Sequence, residues 1–376
     1  MRNEPGTDRP ALEEDLTEES VLFDFLPDLL RKKVAFGFLR PPGFSRVHLA
    51  MAEPSAVVPL HSDLCLLPAL AGPGFIACPF DRERSQGFFI PARLDMAEAA
   101  ELPDSPDREE HGIPDLADTR REDYLRCVGL AVDAIRSGRF SKLVLGRVRN
   151  EPSPAGGFVE FAEKLFRSYP EAWISVFSIP GQGIWVSATP ELLLSEKPGG
   201  GIQTMSLAGT RSFQPGFDAG SLWSPKELEE QSLVSGFIRG VFEDTGHKGL
   251  VENGPYPVQA GNLLHLRTDF HVASPAENIF YSVLDRLHPT PAVCGSPQAG
   301  AMNWIRENEG FSRSFYSGFS GWTGSGGNTM VVNLRTACFD GSRVRLFAGA
   351  GLTRNSVPEK EWEETEAKLR TLGALL

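Results

Sequence analysis

The chain has 376 residues, a formal net charge of −12, 41% hydrophobic residues and 23% charged residues. These fractions are ordinary for a globular protein, and the negative charge argues against nucleic acid or an anionic membrane as the main partner. No run approaches the ~20 apolar residues of a membrane span, and the acidic N-terminus has no apolar signal-peptide core. The five cysteines are scattered without a CxxC pair, which indicates neither a disulfide framework nor a zinc site and fits a cytoplasmic protein.

The N-terminal third combines polar segments with short apolar runs. Residues 1–18 are polar and acidic, which predicts a disordered tail. Between residues 20 and 100, apolar runs such as VAFGFL and GFIACPF alternate with Pro and Gly breaks, which indicates strands and turns. Residues 98–121 are acidic and rich in proline, so we expect an exposed linker or loop there.

The rest of the chain interleaves predicted helices and strands irregularly. A helix is predicted from about Glu122 to Ser137, followed by a strand in FSKLVLGR, residues 140–147. Further strands are predicted at WISVFSI, GIWVSAT, TMVVNLRTACF and VRLFAG, and further helices around FVEFAEKLFRSY, SPKELEEQSLVSGFIRGVFEDTG, PQAGAMNWIRENEG and EKEWEETEAKLRTLGALL. This order favours an α+β fold, and no GxGxxG or GxxxxGK[ST] motif follows a predicted strand.

Several polar residues stand where chemistry is conceivable, although each signal has an ordinary structural alternative. Lys142 interrupts an apolar strand, so it either reaches water or is buried for a reason. Glu191 follows the predicted GIWVSAT strand and could donate a proton or simply begin a turn. Arg335 could bind a carboxylate or lie at the edge of the core. His265, among leucines, is more typical of a buried core histidine than of a site residue.

Two further patterns could bind charged groups. Glu227 and Glu230 lie three residues apart on one predicted helix, and Glu361 and Glu364 do so on another. Facing each other, such pairs would suit Mg²⁺, although acidic helix faces are usually only solvated. In RLFAGAG, residues 345–351, a strand running into small residues could end in a turn whose N–H groups bind an anion, or in a turn without a ligand.

A set of short segments, in this order and spelling, resembles the chorismate-utilising enzyme family. These are FSKLVLGR, ATPELLLS, SLAGTR, KELEEQSLV, LHPTPAVCGSP, VVNLRT, RLFAGAGL and EWEETEAKL. The resemblance covers residues 122–376, and LHPTPA and RLFAGAG are its most specific parts. The family includes isochorismate, anthranilate, aminodeoxychorismate and salicylate synthases.

The resemblance implies an α+β fold in which packed antiparallel β-sheets carry outer helices, in one large catalytic domain over residues 19–376. It also implies a cleft for Mg²⁺ and chorismate, with Glu230 and Glu361 as metal ligands and Glu227 and Glu364 as supporting or alternate partners. By the same resemblance, the residues around the substrate would be Gly209, His265, Ala292, Val293, Arg335, Gly349, Ala350, Gly351 and Lys368. We expect chorismate and isochorismate as partners, and a monomer or weak dimer.

Three positions separate the reactions of the family. Members that add water resemble this chain in having lysine at the position of Lys142, where amino-transferring members have glutamine. Aminodeoxychorismate synthases tend to have a nucleophilic lysine in place of Ala208, and pyruvate-eliminating relatives commonly have threonine in place of Ala292. The resemblance therefore implies conversion of chorismate to isochorismate. Lys142 would deprotonate a water that attacks C2, and Glu191, with a raised pKa, would protonate the leaving C4 hydroxyl.

Other functions stay open at this point. A salicylate synthase would go on to eliminate pyruvate, and an anthranilate synthase component I would need ammonia or a glutaminase partner. A relative without activity could bind chorismate or a protein as a regulator, although the retention of Lys142, Glu191, Glu230, Glu361 and Arg335 argues against this. The product could feed menaquinone, siderophore or salicylate synthesis.

Overall fold

A computed structural model describes residues 16–65, 72–105, 116–197, 200–212, 223–246, 249–260, 263–273, 279–324 and 326–376. Within these residues two nine-stranded sheets form, and their neighbouring strands pair antiparallel. The first sheet contains, in spatial order, β1 (Leu16–Glu18), β3 (Arg46–Ala52), β2 (Ala35–Arg40), β8 (Trp173–Ile179), β9 (Gly183–Thr189), β17 (Thr336–Phe339), β18 (Arg343–Leu352), β7 (Lys142–Pro152) and β14 (Gly295–Ser296).

The second sheet is built from the remaining strands of the described part of the chain. In spatial order it contains β12 (Val251–Ala260), β13 (Leu263–Val272), β11 (Ile202–Ser212), β10 (Leu192–Glu196), β16 (Asn328–Val332), β15 (Phe319–Thr323), β5 (Gly74–Cys78), β6 (Gly87–Pro91) and β4 (Val58–Leu60). The described helices are α1 (Glu19–Arg31), α2 (Met96–Glu101), α3 (Arg121–Arg136), α4 (Gly157–Ser168), α5 (Pro225–Asp244), α6 (Ile279–Leu287), α7 (Gln298–Asn308) and α8 (Pro358–Gly373), with a short 3-10 helix at Pro54–Ala56.

The two sheets pack face to face and carry helices on their outer faces. Between them, Phe177 and Trp185 of the first sheet meet Phe75 and Val331 of the second in one buried cluster, and the ring centroids of Phe75 and Phe177 are 5.8 Å apart. The next residue in β9, Val186, belongs instead to the cluster under α1, α4 and α8. Because β9 is covered on both faces, residues 184–186 form a continuous apolar run rather than an alternating one.

The outer helices are held by apolar stripes at helical spacing. In α4 the buried residues are Phe158, Phe161, Ala162, Leu165 and Phe166, which recur every three or four positions on one face. The corresponding cluster on the other side includes residues of α3, α5, α6 and α7 together with the second sheet. This arrangement confirms the predicted α+β fold of packed antiparallel sheets with outer helices. None of the helices in the described segments has both the length and the apolar character to cross a bilayer.

Some local predictions need correction. Residues 16–18 lie in the predicted tail but form β1, which pairs with β3, whereas residues 1–15 lie outside the described residues. Residues 19–31 form the helix α1 rather than strands and turns, because Leu22, Leu26 and Leu29 line one buried face despite Pro27 inside the helix. In the predicted acidic linker, residues 98–101 belong to α2 and residues 106–115 lie outside the described residues.

The predicted strand TMVVNLRTACF is two strands in different sheets. Its first part is β16 of the second sheet and its last part is β17 of the first sheet. The crossover between them, residues 333–335, includes Arg335 with a φ of +47°, a left-handed conformation that is costly for a residue with a side chain. The chain therefore changes sheets at one of the predicted site residues.

Candidate active site

A pocket forms where the two sheets meet at the crossover. It contains about 710 Å³ of space not occupied by protein atoms, part of it open to solvent. Its walls include the predicted residues Lys142, Glu191, Glu230, His265, Ala292, Val293, Arg335, Gly349, Gly351 and Lys368. Residues far apart in sequence are thus brought together in one pocket.

Lys142 begins β7 and is completely buried. Its backbone pairs with Ser296 in β14, so the residue is fixed between two strands while its side chain lines the pocket. The ammonium Nζ lies 2.9 Å from Glu230 Oε1. Burial opposes the charge of Glu230, but Lys142 outweighs it and lowers the pKa of that carboxyl. The lysine in the apolar strand therefore forms a buried ion pair instead of reaching water.

Glu191 lies between β9 and β10 and is 3% exposed. Its amide donates to Thr189 Oγ1 at 3.1 Å and its carbonyl accepts from Val332, which fixes its backbone between two strands. Burial raises the pKa of Glu191 to about 8, although Lys142 and Lys368 act in the opposite direction. A carboxyl group in this position keeps its proton at neutral pH and can donate it.

Arg335, His265 and Lys368 supply positive or donor groups on the pocket wall. Arg335 Nη2 lies 3.3 Å from His265 Nε2, and no carboxylate in the described part of the chain pairs with this arginine. Burial lowers the pKa of Arg335 to about 10, so it stays charged at neutral pH. Burial, followed by the charges of Arg335 and Lys368, lowers the pKa of His265 well below its ordinary value, so His265 is neutral.

The RLFAGAG segment is strand rather than a turn, which corrects the expected anion-binding turn. Gly349 and Gly351 face Gly146 and Val144 of β7. Lys368 Nζ donates to the Gly349 carbonyl at 2.9 Å, which shows that this carbonyl points away from β7. In an antiparallel pair these orientations alternate, so the N–H groups of Gly349 and Gly351 face the pocket edge. Ala350, between them, is fully buried and is absent from the pocket wall.

The glycines of β18 also leave room for charged side chains. A Cβ on Gly351 would lie 2.3 Å from Glu230 Oε1 and 3.1 Å from Lys142 Cε. The Lys142–Glu230 pair therefore occupies the space of the missing side chain. Gly209, by contrast, does not line the pocket, which corrects its predicted role. It forms a bulge in β11 with a φ of +71°, and a Cβ there would lie 3.0 Å from the Glu227 Cβ, so it lets α5 approach the sheet.

The acidic residues of α5 and α8 divide into different roles. Glu227 caps α5 by accepting from the Ser224 amide at 2.6 Å, so it is committed to the helix end. Glu361 is buried and contacts Lys226 at 2.7 Å. Burial, and then the neighbouring Glu364, raise the pKa of Glu361. Glu361 does not itself line the pocket, whereas Glu230 does.

These carboxylates fit a bound cation. Glu361 Oε2 is buried and accepts no hydrogen bond of normal geometry, although the Ser356 hydroxyl is close enough to affect the pKa of the carboxyl. Burial opposes the charge of Lys226, but the carboxylates of Glu361, Glu364 and Glu230, in decreasing order, raise its pKa. A positive charge therefore already lies near all three carboxylates. Mg²⁺ is commonly bound through one or two carboxylates, so Glu230 and Glu361 have the chemistry to hold it.

Sequence reasoning missed several pocket residues. Tyr316, Leu334 and Phe347 line the pocket, and Tyr316 stacks on Phe347 with ring centroids 5.4 Å apart. Tyr316 lies in FSRSFYSG, a segment whose polar and aromatic pattern gave no periodic signal. Leu334 could have been suspected only from its position beside Arg335. Ala208 and Ala292, which the reaction argument used, are both on the wall.

Comparison with known proteins agrees with this geometry. The profile of the chorismate binding enzyme family matches residues 90–376. The isochorismate synthase EntC of Escherichia coli K12 is 30% identical over 314 residues, covering 79% of each chain. Two solved structures share the fold. The menaquinone-specific isochorismate synthase MenF of E. coli has a TM-score of 0.77 and 21% identity, and the match covers 98% of this chain and 92% of that one. A putative 2,3-dihydroxybenzoate-specific isochorismate synthase, DhbC, of Bacillus anthracis has a TM-score of 0.75 and 23% identity, and the match covers 94% of this chain and 99% of that one. The chain therefore belongs to the chorismate binding enzyme family.

Proposed function

We propose that this chain is an isochorismate synthase, a Mg²⁺-dependent isomerase that interconverts chorismate and isochorismate. The observation that carries the proposal is the joint placement of Lys142 and Glu191 in one pocket, both buried, with the pKa of Glu191 raised to about 8. A candidate base and a protonated candidate acid thus share one site. The family membership and the names of the relatives at about 30% identity support the same reaction.

The proposed reaction consumes one water and releases another. Lys142 Nζ accepts a proton from a water whose oxygen bonds to C2 of the ring. The ring double bonds shift, and the bond between C4 and its hydroxyl breaks as Glu191 donates its proton, so that the hydroxyl leaves as water. No oxidation or reduction occurs, and proton exchange with solvent restores both side chains. Lys142 can accept a proton only as a neutral amine, so its ion pair with Glu230 must first be broken.

The remaining residues would bind and orient the substrate. Glu230 and Glu361 would hold Mg²⁺, with Glu364 nearby, whereas Glu227 is occupied as a helix cap. When bound, Mg²⁺ would anchor the C1 carboxylate and balance charge. Arg335, charged and without a carboxylate partner in the described chain, would bind a substrate carboxylate together with the edge amides of Gly349 and Gly351.

Product analysis tests the proposal directly. The purified protein is incubated with chorismate and Mg²⁺, with and without ammonium salt, and the products are resolved by chromatography. We expect isochorismate alone, in equilibrium with chorismate, because Ala208 and Ala292 lack the side chains associated with the other reactions. Salicylate with pyruvate would show that Ala292 does not prevent elimination. Anthranilate formed with ammonium would overturn the role of Lys142, and an absence of any product would overturn the proposal.

A further inference from the structure

Three carboxylates around the proposed cation site each have a lysine partner. The pairs are Lys142–Glu230 at 2.9 Å, Lys226–Glu361 at 2.7 Å and Lys368–Glu364 at 2.7 Å. Their formal charges cancel, so the site is already neutral before any metal ion enters. A divalent cation would therefore bring an uncompensated positive charge into the site unless one of these pairs changes.

Lys226 is the lysine whose position a cation would take. It lies four residues before Glu230 on α5, and its Nζ contacts Glu361 Oε1. The charges of Glu364 and Glu230 also favour its ammonium form. Mg²⁺ binds carboxylate oxygens at about 2.0–2.1 Å, so an ion on either oxygen of Glu361 would lie close to the ammonium that contacts Oε1 at 2.7 Å. Two positive charges at that separation would also repel each other strongly.

Lys226 is also the lysine most able to leave. Its side chain is 28% exposed and, within the described residues, Glu361 is its hydrogen-bond partner. Lys142, by comparison, is completely buried, and Lys368 is held twice, by Glu364 and by the Gly349 carbonyl. The four-carbon stem of Lys226 can carry its ammonium to solvent without a backbone change.

We propose that Lys226 is a displaceable counter-ion that holds the place of the divalent cation and so weakens its binding. This inference rests on the proposed cation site of Glu361 and Glu230. In the metal-free protein, Lys226 neutralises the buried carboxylate of Glu361. When a cation binds Glu361, the ammonium moves out to solvent, so the affinity for the cation includes the cost of breaking this ion pair.

Binding of Mn²⁺ alone, measured by electron paramagnetic resonance of the free ion, tests the proposal without reference to activity. Lys226→Met removes the competing charge, and we expect Mn²⁺ to bind about tenfold more tightly or better, as expected for loss of one unit charge beside a divalent ion. Lys226→Gln should act in the same direction if the methionine variant folds poorly. Lys360→Met, which removes an exposed lysine from the same helix as Glu361, should change the affinity less than twofold.

The outcomes separate this inference from the site on which it rests. Glu361→Gln should weaken Mn²⁺ binding at least tenfold; unchanged binding in that variant would move the cation site elsewhere. If Glu361→Gln weakens binding but Lys226→Met and Lys226→Gln bind as the wild type does, Lys226 is a structural partner and the proposal fails. Wild-type binding too weak to measure, with measurable binding in Lys226→Met, would support it, and undetectable binding in both would overturn it.

Discussion

The position of Lys142 suits a catalytic base, whereas its ion pair with Glu230 opposes that role. Its burial and its position in the pocket suit a catalytic base, but its Nζ lies 2.9 Å from the Glu230 carboxylate in an ion pair, and a paired ammonium cannot accept a proton from water. The apolar strand left open whether this lysine reaches water or is buried, and it did not indicate which residue would be its neighbour. The conflict disappears only in a state in which Glu230 has another partner, such as the proposed cation.

Replacing Lys142 by glutamine separates its two roles. Glutamine carries no charge and cannot accept a proton from water, but its amide can donate a hydrogen bond toward Glu230. We expect kcat for isochorismate formation to fall about 10²–10⁴-fold, the usual contribution of a general base. Chorismate binding, measured by titration calorimetry with Mg²⁺, should change little. Turnover within a few-fold of the wild type would show that another group removes the proton.

The raised pKa of Glu191 predicts that kcat decreases at high pH. Its raised pKa of about 8 means that the acid form exists below that pH and disappears above it. If this proton is used, kcat falls as the pH rises through about 8. Glu191→Gln, which is neutral at all pH values and donates poorly, should lose about 10²–10⁴-fold in kcat and remove this decrease. A retained decrease above pH 8 in the variant would assign it to another group.

The same shift affects stability, because an unfolded glutamate ionises near its ordinary value of 4.5. Between pH 4.5 and about 8 the folded chain holds a proton that the unfolded chain has lost, so Glu191 makes folding less favourable as the pH rises. Glu191→Gln removes this pH-dependent contribution to the free energy of unfolding. We expect the difference in Tm between the variant and the wild type to grow in favour of the variant from pH 5 to pH 8. A constant difference would contradict the raised pKa.

At the scale of elements, periodic segments were predictable and irregular ones were not. The strands β8 and β9 and the helix α4 begin and end close to their predicted limits, because the strands are short runs rich in aromatic and β-branched residues and α4 repeats its apolar residues every three or four positions. The helix α1 was missed since Pro27 interrupts an amphipathic pattern that tertiary packing nonetheless buries. The strand β13, which carries His265, was not predicted as a strand at all.

Strand β18 shows why small residues occur beside the site. The sequence suggested a turn at Gly349–Gly351, but pairing with β7 continues to Leu352. Glycine is needed at position 351 because the Lys142–Glu230 pair occupies the space that a side chain there would take. From the sequence alone, the small residues of this segment fit a binding site in a turn and one beside a strand equally well, since glycine permits both conformations.

Gly351→Ala tests this use of space. The added methyl group would lie 2.3 Å from Glu230 Oε1, so either Glu230 or the strand must move. We expect at least a tenfold loss of kcat/KM, with weaker dependence on Mg²⁺ and a modest loss of stability. Gly129→Ala in α3, where a Cβ would contact nothing within 4 Å, should keep full activity. Normal turnover by Gly351→Ala would mean that the ion pair is not part of the working site.

At the scale of the whole molecule, the site exists because one segment passes from one sheet to the other. The motif residues were identifiable from the sequence, but their meeting point was not, since VVNLRT continued smoothly into an apolar strand. A polar network fixes this passage. The hydroxyls of Ser175 in the first sheet and Ser320 in the second are 2.5 Å apart, and Ser320 donates to Asn333 Oδ1 at 2.6 Å.

Asn333 therefore links the packing of the sheets to the placement of Arg335 two residues later. Its side chain also donates to the Phe315 carbonyl at 3.1 Å, and the residue is 2% exposed. Asn333→Ala leaves these buried groups without partners, which costs about 1–3 kcal/mol in the free energy of unfolding. Because the crossover holds Arg335 in a left-handed conformation, loosening it should also raise KM for chorismate several-fold.

Asn150→Ala is the matched control for this last prediction. Asn150 Nδ2 donates to the Leu116 carbonyl at 2.8 Å and to Asp118 Oδ1 at 2.7 Å, away from the pocket. Urea denaturation should show a loss of stability in both variants, whereas steady-state kinetics should show a raised KM only in Asn333→Ala. An equal KM in the two variants would mean that Arg335 keeps its position without the network, and that the sheets hold the crossover through apolar packing alone.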